Sequence, residues 1–489
     1  MYTLYKVQTH IEYTMVYKSI SQFGISLIII IILLLFSLGS LSLVKQQEEE
    51  QQAMGLLYDS LSGLFNDNNY GYNNNRELLS KNASTSFNTE LSRTDTNNMK
   101  FGNNTNLSNN SYDSVYGQVS ATSEKDVYIV WQDSVPGNNK RNYDIFFKKS
   151  IDGGALFSKE INLSNNNGFS EHPQISASEN NVYIVWADDT YANRAIFFTK
   201  STDGGNTFGS PINLSNNTGD SHNQEIVVFG DNVYIVWQDK PSVDQTSSNI
   251  FFKSSTDGGI TFSQTFNLSN NANDYSFPKV AAYNDHVYVL WNVEESEKNT
   301  NKADKGLFFV KSFDQGSSFG DTIRLNHPEQ EFGEAQIAAS RQDVYVVWGG
   351  SDLNTVNNPF FTKSTDSGET FSDPIAITDD DNDNNNNNLN PSNVEIAVDQ
   401  EEEEEVKLYI AWQALASAAT ATGSEEEIFF KMSPDKGDTF TNTINLSKNH
   451  GVSECPSLAV YKESYTWYGK TLVLETTKYY SQEVFRKKC

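Results

Sequence analysis

The sequence predicts an all-β fold assembled from a repeated unit of four short strands. The pattern Ser-x-Asp-x-Gly-x-x-Phe occurs six times, and successive aspartates are 51 to 69 residues apart. An apolar strand that ends in Trp precedes every copy. Four short strands with their turns need about 40–50 residues, which is close to this spacing. Because these strands are apolar on both faces, each sheet must be covered on both sides, and a ring of sheets, a β-propeller, meets this requirement.

The Ser-x-Asp-x-Gly-x-x-Phe segment, called the repeated turn below, has a physical reason for each of its defined residues. The Asp accepts hydrogen bonds from the backbone of its own turn, and the Ser hydroxyl does so more weakly. The Gly allows a positive φ, and the Phe needs a neighbouring sheet for burial. We therefore expect the six aspartates to be structural rather than catalytic or metal-binding: Asp152, Asp203, Asp257, Asp314, Asp366 and Asp435.

Each repeat carries its strands in the same order. In the second repeat a short strand at 173–177 comes first, and an apolar strand follows from Val182 to Trp186. The segment Ile-Phe-Phe (196–198) leads into the repeated turn, and Ile-Asn-Leu-Ser (212–215) comes after it. The repeated turn is therefore predicted to join the third and fourth strands of a four-stranded blade.

The repeated turn resembles the Asp-box, or BNR, repeat of the sialidase-like β-propeller superfamily. The resemblance covers about residues 105–460 and includes six turns in register with six Trp strands. It implies that the loops between second and third strands, with the connections between blades, form a ligand face opposite the repeated turns. Because this fold hosts hydrolases, lectins and inert scaffolds, the resemblance alone does not select a function.

The number of blades depends on the C-terminal part of the chain. Residues 454–459 begin a further unit like 171–176, but the pattern fails at Ser464 and no further turn follows. We expect seven blades, the last one incomplete, with six as the alternative. The fourth strand of the seventh blade would then be Thr105–Ser108.

The tail at 464–489 is therefore interpreted as degenerate or frameshifted. Permitted codons for residues 465–482, read in another frame, encode a Trp strand and loop that closely parallel the segment beginning at Tyr128. Because the codons are chosen rather than observed, chance agreement remains the alternative.

Three segments precede the propeller, which we place at residues 105–463. A short segment, 1–24, is followed at 25–44 by an almost uninterrupted apolar run, and about 20 apolar residues suffice to span a bilayer. Residues 45–104 are rich in Gln, Glu, Asn and Ser, which predicts a disordered stalk. We expect a single-pass membrane protein with an extracellular propeller. A cleaved signal peptide, and hence a secreted protein, is the alternative.

Composition excludes several kinds of partner and cofactor. With 63 acidic residues, 35 basic residues and a net charge of −28, nucleic acid is a poor partner, because phosphate binding needs clustered Lys and Arg. The two cysteines cannot build a disulfide framework. We expect no cofactor or metal site. Calcium at Asp379–Asp383 is the one alternative, although this run lacks the Gly and the final Glu of an EF-hand loop.

Asn-x-Ser/Thr sequons are dense and predict a glycoprotein if the chain is exported. Four of them have a structural alternative, because they recur within the Asn-Leu-Ser segment of each repeat: Asn162, Asn213, Asn267 and Asn445.

Ten residues of the second-to-third strand loops and blade connections are candidates for the ligand face. An Asp that follows the Trp of a strand also commonly begins a turn, which is the structural alternative for the three aspartates among them. The candidates are Asp133, Arg141, Glu171, His172, Asp188, Tyr191, Arg194, His222, Asp239 and Tyr275.

Sialidases of the resembled superfamily hold a sugar carboxylate with three arginines, because bidentate guanidinium groups match that anion. The propeller contains four arginines, but Arg324 is predicted on an outer strand and Arg341 on the repeated-turn side. The triad cannot be assembled, so we expect no catalytic residues. The leading hypothesis is a non-catalytic surface or envelope module that binds glycans or proteins. The alternative is a glycoside hydrolase using a carboxylate pair, such as Asp133 with Glu171 or Asp188.

Overall fold

The computed structural model describes residues 105–478 with gaps, and every regular element in this part is a β-strand. The gaps fall at 109, 111–113, 123–124, 136–141, 192, 241–247, 270–274, 294–304, 328–329, 352–356, 378–390, 400–405, 416–425, 448–451 and 462–469. The predicted anchor (25–44), stalk (45–104) and calcium-binding run (379–383) lie outside the described residues. Within these ranges, no helix is long and apolar enough to cross a membrane.

Six sheets have four antiparallel strands each, in sequence order from inside to outside. Blade 1 comprises β1 (Ser114–Ala121), β2 (Val127–Val135), β3 (Asn142–Ser150) and β4 (Ile161–Asn162). Blade 2 comprises β5 (Ser170–Ser178), β6 (Asn181–Asp188), β7 (Ala195–Ser201) and β8 (Ile212–Asn213). Blade 3 comprises β9 (Asp220–Phe229), β10 (Asn232–Lys240), β11 (Asn249–Ser255) and β12 (Phe266–Asn267).

The next three sheets repeat this arrangement. Blade 4 comprises β13 (Tyr275–Tyr283), β14 (His286–Val293), β15 (Gly306–Ser312) and β16 (Ile323–Arg324). Blade 5 comprises β17 (Glu331–Ser340), β18 (Asp343–Ser351), β19 (Asn357–Ser364) and β20 (Ile375–Ala376). Blade 6 comprises β21 (Ser392–Val398), β22 (Leu408–Leu415), β23 (Glu426–Ser433) and β24 (Ile444–Asn445). A two-stranded sheet, β25 (Val452–Tyr461) with β26 (Lys470–Lys478), follows.

Over the described residues the chain is therefore a β-propeller with six four-stranded blades, and the favoured count of seven is wrong. The two-stranded sheet lies between blades 6 and 1, since β25 contacts both β21 and β1. Its strand register places Glu475 where the other blades have Trp, because Ser457 pairs with Leu474. The tail lacks the apolar Phe-Phe strand and the repeated turn, and no third strand joins this sheet in the part of the chain that the structure describes.

Apolar side chains pack between neighbouring blades rather than around one central core. Alternate residues of the Trp strands face opposite neighbours, so Tyr183 contacts blade 3 while Ile184 and Trp186 contact blade 1. The Trp side chains of blades 2 to 5 are almost completely buried. A sheet that is apolar on both faces is stable only between two others, which explains why the repeats form a ring.

Residues 105–108 form no strand, in contrast to the expectation, yet they pack like a fourth strand. Leu107 contacts the apolar cluster between the two-stranded sheet and blade 1. Leu163, in the fourth-strand segment of blade 1, packs in the equivalent way between blades 1 and 2. The Leu107 carbonyl accepts a hydrogen bond from Lys148 Nζ at 2.7 Å. The N-terminal end of the described chain thus covers the junction at which the ring closes.

The repeated turn is tied together by the same contacts in all six copies. In the second copy, Asp203 Oδ1 accepts from Ser201 Oγ at 2.7 Å and from the Thr207 backbone N–H at 2.9 Å, while Ser201 Oγ accepts from Gly205 N at 2.8 Å. A Cβ on Gly205, whose φ is +73°, would lie 2.6 Å from the Phe147 ring of blade 1. The turn therefore needs Gly both for its φ and for this close approach.

The serine of the Asn-Leu-Ser segment is also structural. Ser164 Oγ and Ser215 Oγ each accept a hydrogen bond, at 3.0 Å, from a backbone N–H of the adjacent third strand. The same bond recurs at Ser269 and Ser447. The recurrence of the four sequons therefore has a packing explanation, while their glycosylation stays a prediction.

Candidate functional site at the channel mouth

The two faces of the propeller carry different kinds of loop. The repeated turns share one face with the turns between first and second strands, as shown by Gly204 N donating to Asn180 O at 2.8 Å. The loops between second and third strands and the connections between blades share the other. The inner strands begin at this second face, and we call the opening between them the channel mouth.

Each inner strand carries an irregularity close to the mouth. In β5, for example, the pairing with β6 shifts between Glu171 and Gln174. In six of the seven inner strands the first bulged residue has a positive φ, and these residues are Tyr116, His172, Asn223, Phe277, Asn393 and Cys455. In β17 the bulged residues are Gly333 and Glu334, and Glu334 is the one that lies two residues before Gln336, as His172 lies two residues before Gln174. A bulge re-aims the side chains around it, so one side chain from each inner strand is presented at the same level.

Two residues beyond this level, every inner strand presents a polar side chain, and we call these the polar tier. Each member pairs with the residue that precedes the Trp position of the second strand. They are Gln118, Gln174, Glu225, Lys279, Gln336, Glu395 and Ser457. Ser457 Oγ donates to Gln118 Oε1 at 3.0 Å, which links the two-stranded sheet to blade 1.

Charged members of the polar tier face one another across blades 3 to 6. Lys279 Nζ lies 3.0 Å from Glu225 Oε2, and Gln336 Nε2 donates to Glu395 Oε1 at 2.9 Å. Burial alone would lower the pKa of Lys279, but Glu225, Glu395 and Glu334 together raise it. Burial raises the pKa of Glu395 to about 7 despite the nearby Lys279. The polar tier thus links blades 3 and 4 by an ion pair and blades 5 and 6 by a hydrogen bond.

Arg194 connects two blades at the mouth. Its Nη1 lies 2.6 Å from Glu171 Oε1 on β5, and its Nε lies 2.9 Å from Asp220 Oδ1 on β9. Its carbonyl accepts from Ser221 N at 3.0 Å, which fixes the β6–β7 loop against blade 3. Burial would lower the pKa of Arg194, but Glu171 and Asp220 raise it.

An aromatic pair lies beside this ion-pair network. The rings of Tyr116 and His172 are 4.2 Å apart between centroids and tilted by 54°. Burial, followed by Glu171, Glu454 and Glu334, raises the pKa of Tyr116 to about 12. Burial and Arg194 lower the pKa of His172 although Glu171 opposes them, so the imidazole is neutral near pH 7. Its Nδ1 is shielded from solvent and has no hydrogen-bonding partner among the described residues.

The structure brings four of the ten candidates together at this mouth: Glu171, His172, Arg194 and His222. The His222 Nδ1 atom lies 3.9 Å from Asp220 Oδ2, and burial, with Arg194, lowers the pKa of His222. Arg141 lies outside the described residues, so its candidate role stays a prediction.

Asp133, Asp188 and Asp239 are buried instead of lining the mouth. Asp188 accepts hydrogen bonds from Asn166 Nδ2 at 2.6 Å, Ser170 Oγ at 2.7 Å and Trp186 Nε1 at 3.3 Å. Asp133 has the equivalent partners in blade 1, and burial raises its pKa. Burial raises the pKa of Asp239 to about 6. These contacts tie each Trp strand to the connection that enters its blade.

The two candidate tyrosines also lie away from the mouth cluster. Tyr191 is exposed, and its ring stacks over Phe197 of β7 at 6.1 Å between centroids. Tyr275 is buried between blades 3 and 4, with its ring edge-on to Trp291 at 6.4 Å.

Four residues near the mouth were not predicted from the sequence: Tyr116 and the charged residues Glu334, Lys279 and Glu395. A polar residue in the middle of an otherwise apolar inner strand is the signal that could have found Lys279 and Glu395, as in Lys-Val-Ala at 279–281. Tyr116 gives no such signal, because its position depends on the bulge.

Two further arginines are described, one on an outer strand and one on the repeated-turn face. Arg324 lies on β16, where its Nε donates to Asn326 Oδ1 at 3.2 Å. Arg341 lies in the β17–β18 turn on the repeated-turn face. Over the ranges that the structure covers, no group of three or more His, Cys, Asp or Glu residues could hold a metal ion.

Comparison with known proteins gives similarity of structure only. The sequence matches no protein-family model and no curated protein. A protein of unknown function from Dyadobacter fermentans has a TM-score of 0.44 at 11% identity, covering 65% of this chain and 94% of its own. An ulvan lyase, a polysaccharide lyase, has a TM-score of 0.48 at 10% identity, and the match covers 75% of this chain and 92% of the lyase. Trypanosoma rangeli sialidase has a TM-score of 0.41 at 11% identity, and the match covers 62% of this chain and 52% of the sialidase. Similarity at such identities does not extend to function.

Proposed function

We propose that this propeller is a non-catalytic, membrane-anchored surface module that binds glycans at the channel mouth. The observation that carries the proposal is the Arg194 network, in which Glu171 and Asp220 from neighbouring blades are held by one guanidinium. Carboxylates positioned in this way keep unused acceptor lone pairs, which suit sugar hydroxyls.

The aromatic pair next to this network supports the same function. Small-molecule sites combine an apolar or aromatic surface with a few convergent polar groups. Tyr116 and His172 supply the rings, and the half-buried His172 has a shielded Nδ1 without a described partner. The ligand is proposed to contact the rings with one face and the Glu171–Arg194–Asp220 network with its hydroxyls.

Sialidase activity has little support in this arrangement. A sialic acid carboxylate needs an open guanidinium edge, and Arg194 is already bonded to two carboxylates. Glycoside hydrolysis by a carboxylate pair is the second candidate function. Glu171 and Asp220 are the pair that would serve it, because Arg194 holds both carboxylates at the mouth. Asp133 and Asp188 suit that role poorly, because their oxygens accept hydrogen bonds inside their own blades.

A glycan array tests the proposal with the full-length chain in detergent. Arg194→Ala should weaken binding of any glycan that is retained by at least about tenfold, which corresponds to about 1.4 kcal/mol. Arg341→Ala is the matched control, because it removes the same side chain on the opposite face. Binding that Arg194→Ala leaves unchanged, or an array with no retained glycan, would contradict the proposal. Release of a reducing end from a bound glycan would favour the hydrolase instead.

A further inference from the structure

Three of the five N–H groups of Arg194 already bond to carboxylates. Asp220 occupies the edge formed by Nε and Nη2, at 2.9 and 3.3 Å, and Glu171 contacts Nη1 at 2.6 Å. Bidentate recognition of a carboxylate or sulfate needs two N–H groups on one edge. An anionic sugar at Arg194 would therefore compete with two carboxylates that already neutralise the guanidinium.

Carboxylates also surround the aromatic pair. Glu171 and Glu454 directly precede the positive-φ residues His172 and Cys455 on β5 and β25, and Glu334 lies in the corresponding bulge of β17. All three act electrostatically on Tyr116. The neighbouring imidazole of His172 is neutral near pH 7, so it adds no positive charge. The rings of Tyr116 and His172 therefore lie in a negative environment.

The other cations near the mouth do not offset this charge. Lys279 is paired with Glu225 at 3.0 Å and is also influenced by Glu395 and Glu334. Lys240 acts on His222, two blades away from the Glu334 strand. Lys305 is a further cation on this side, with its Nζ 5.9 Å from the centroid of the Phe332 ring on β17. Together with Arg194 these cations number four, whereas six carboxylates are described around the mouth, in keeping with the net charge of −28 for the chain: Glu171, Asp220, Glu225, Glu334, Glu395 and Glu454.

We propose that the channel mouth binds the ammonium group of an amine-bearing glycan against Tyr116, between Glu171, Glu334 and Glu454, and disfavours carboxylated and sulfated glycans. The proposal rests on the proposed function, glycan binding at this mouth. An ammonium group gains from the face of an aromatic ring and from charge-assisted hydrogen bonds to carboxylates. An N-acetylated sugar gains neither, and like charges across an interface are strongly disfavoured.

Isothermal titration of the full-length chain with short chitosan oligomers, and with chitin oligomers of equal length, tests this selectivity. The oligomers differ only in whether the sugar nitrogen is a free amine or acetylated. In mildly acidic buffer, the chitosan oligomer should bind at least about tenfold more tightly, and added salt should reduce the difference. Glu334→Gln and Glu454→Gln should each reduce the chitosan-to-chitin ratio, whereas Glu179→Gln, in the β5–β6 turn on the opposite face, should not. Thermal melting checks that each variant is folded.

The outcomes separate the two proposals. Equal affinity for both oligomers, with both lost in Arg194→Ala, would overturn amine selectivity and leave glycan binding at the mouth intact. Chitosan binding that neither Glu334→Gln nor Glu454→Gln changes would be nonspecific attraction to an acidic protein and would also overturn it. Binding of spermine without binding of any oligomer would show that the mouth recognises amines but not sugars, and would overturn glycan binding. Absence of all binding would overturn both proposals.

Discussion

Replacing Asp188 by Ala should destabilise the protein, because this carboxylate is a buried junction rather than a ligand-binding group. Its side chain is 1% exposed, and it accepts from Asn166 Nδ2, Ser170 Oγ and Trp186 Nε1 at 2.6, 2.7 and 3.3 Å and from Thr190 N at 2.8 Å. Alanine leaves these donors in place without their acceptor.

The magnitude follows from the number of donors that lose their partner. Each buried donor without a partner costs about 1–3 kcal/mol. Ser170 can rotate its hydroxyl and the partly buried Asn166 retains some access to water, so their costs fall below that range. We expect a total loss of about 3–4 kcal/mol in the free energy of unfolding, which is at the high end for a single substitution.

Urea unfolding followed by tryptophan fluorescence measures this loss as a lower midpoint with an unchanged slope. Asp188→Asn, which keeps one carbonyl oxygen as an acceptor, should lower the free energy of unfolding by less than Asp188→Ala does. Asp321→Ala, at an exposed position after the fourth repeated turn, should stay within about 0.5 kcal/mol of the parent chain. An Asp188→Ala variant with parental stability and no ligand binding would refute the structural assignment.

Four further predictions concern the turns, the ring closure, the activity and the tail. Hydrogen bonds within the turn hold the pKa of Asp203 below its usual range, so the stability that this carboxylate contributes is present above about pH 4 and is lost as pH falls. Asp203→Ala should therefore lower the melting temperature at neutral pH and make it depend less on pH in acid. A melting temperature with the same pH profile as that of the parent chain would contradict this. Leu107→Ala should lower the free energy of unfolding in urea by about 1–2 kcal/mol, less than the roughly 2–5 kcal/mol lost at a fully buried Leu, because Leu107 is only partly buried. The exposed Leu156→Ala should cost almost nothing, and equal effects would argue against closure by residues 105–108. A fluorogenic sialoside should not be turned over, and turnover abolished by Arg194→Ala would overturn the non-catalytic assignment. Sequencing of the gene around codon 464 should show a Trp strand in another frame, and its absence there would disprove a frameshift.

The propeller could be predicted because its signals are local and repeated. The repeated turn closes on itself through Ser201, Asp203 and Gly205, so eight residues contain nearly all the information that defines it. The apolar Trp strands likewise require packing on both faces. The blade count was harder, since ring closure involves contacts between residues far apart in the sequence, such as Ser457 and Val119, which are 338 positions apart.

The candidate site could be predicted only in part. Glu171, Arg194 and His222 lie in loops and strand ends that the resemblance places on the ligand face, and the structure brings them together. Tyr116 was missed because the bulge in β1, which no residue pattern marks, sets its direction. Asp188 was a candidate for the mouth because the resemblance assigns the loops between second and third strands to the ligand face, but the side chain bonds to Trp186 and Ser170 and is buried.

A crystal structure of the protein with a bound chitosan oligomer tests the central claim, ligand binding at the channel mouth, most directly. We expect sugar density between Arg194 and Tyr116, with a nitrogen within hydrogen-bonding distance of Glu171, Glu334 or Glu454. Density on the repeated-turn face or along the outer strands, with an empty mouth, would contradict it.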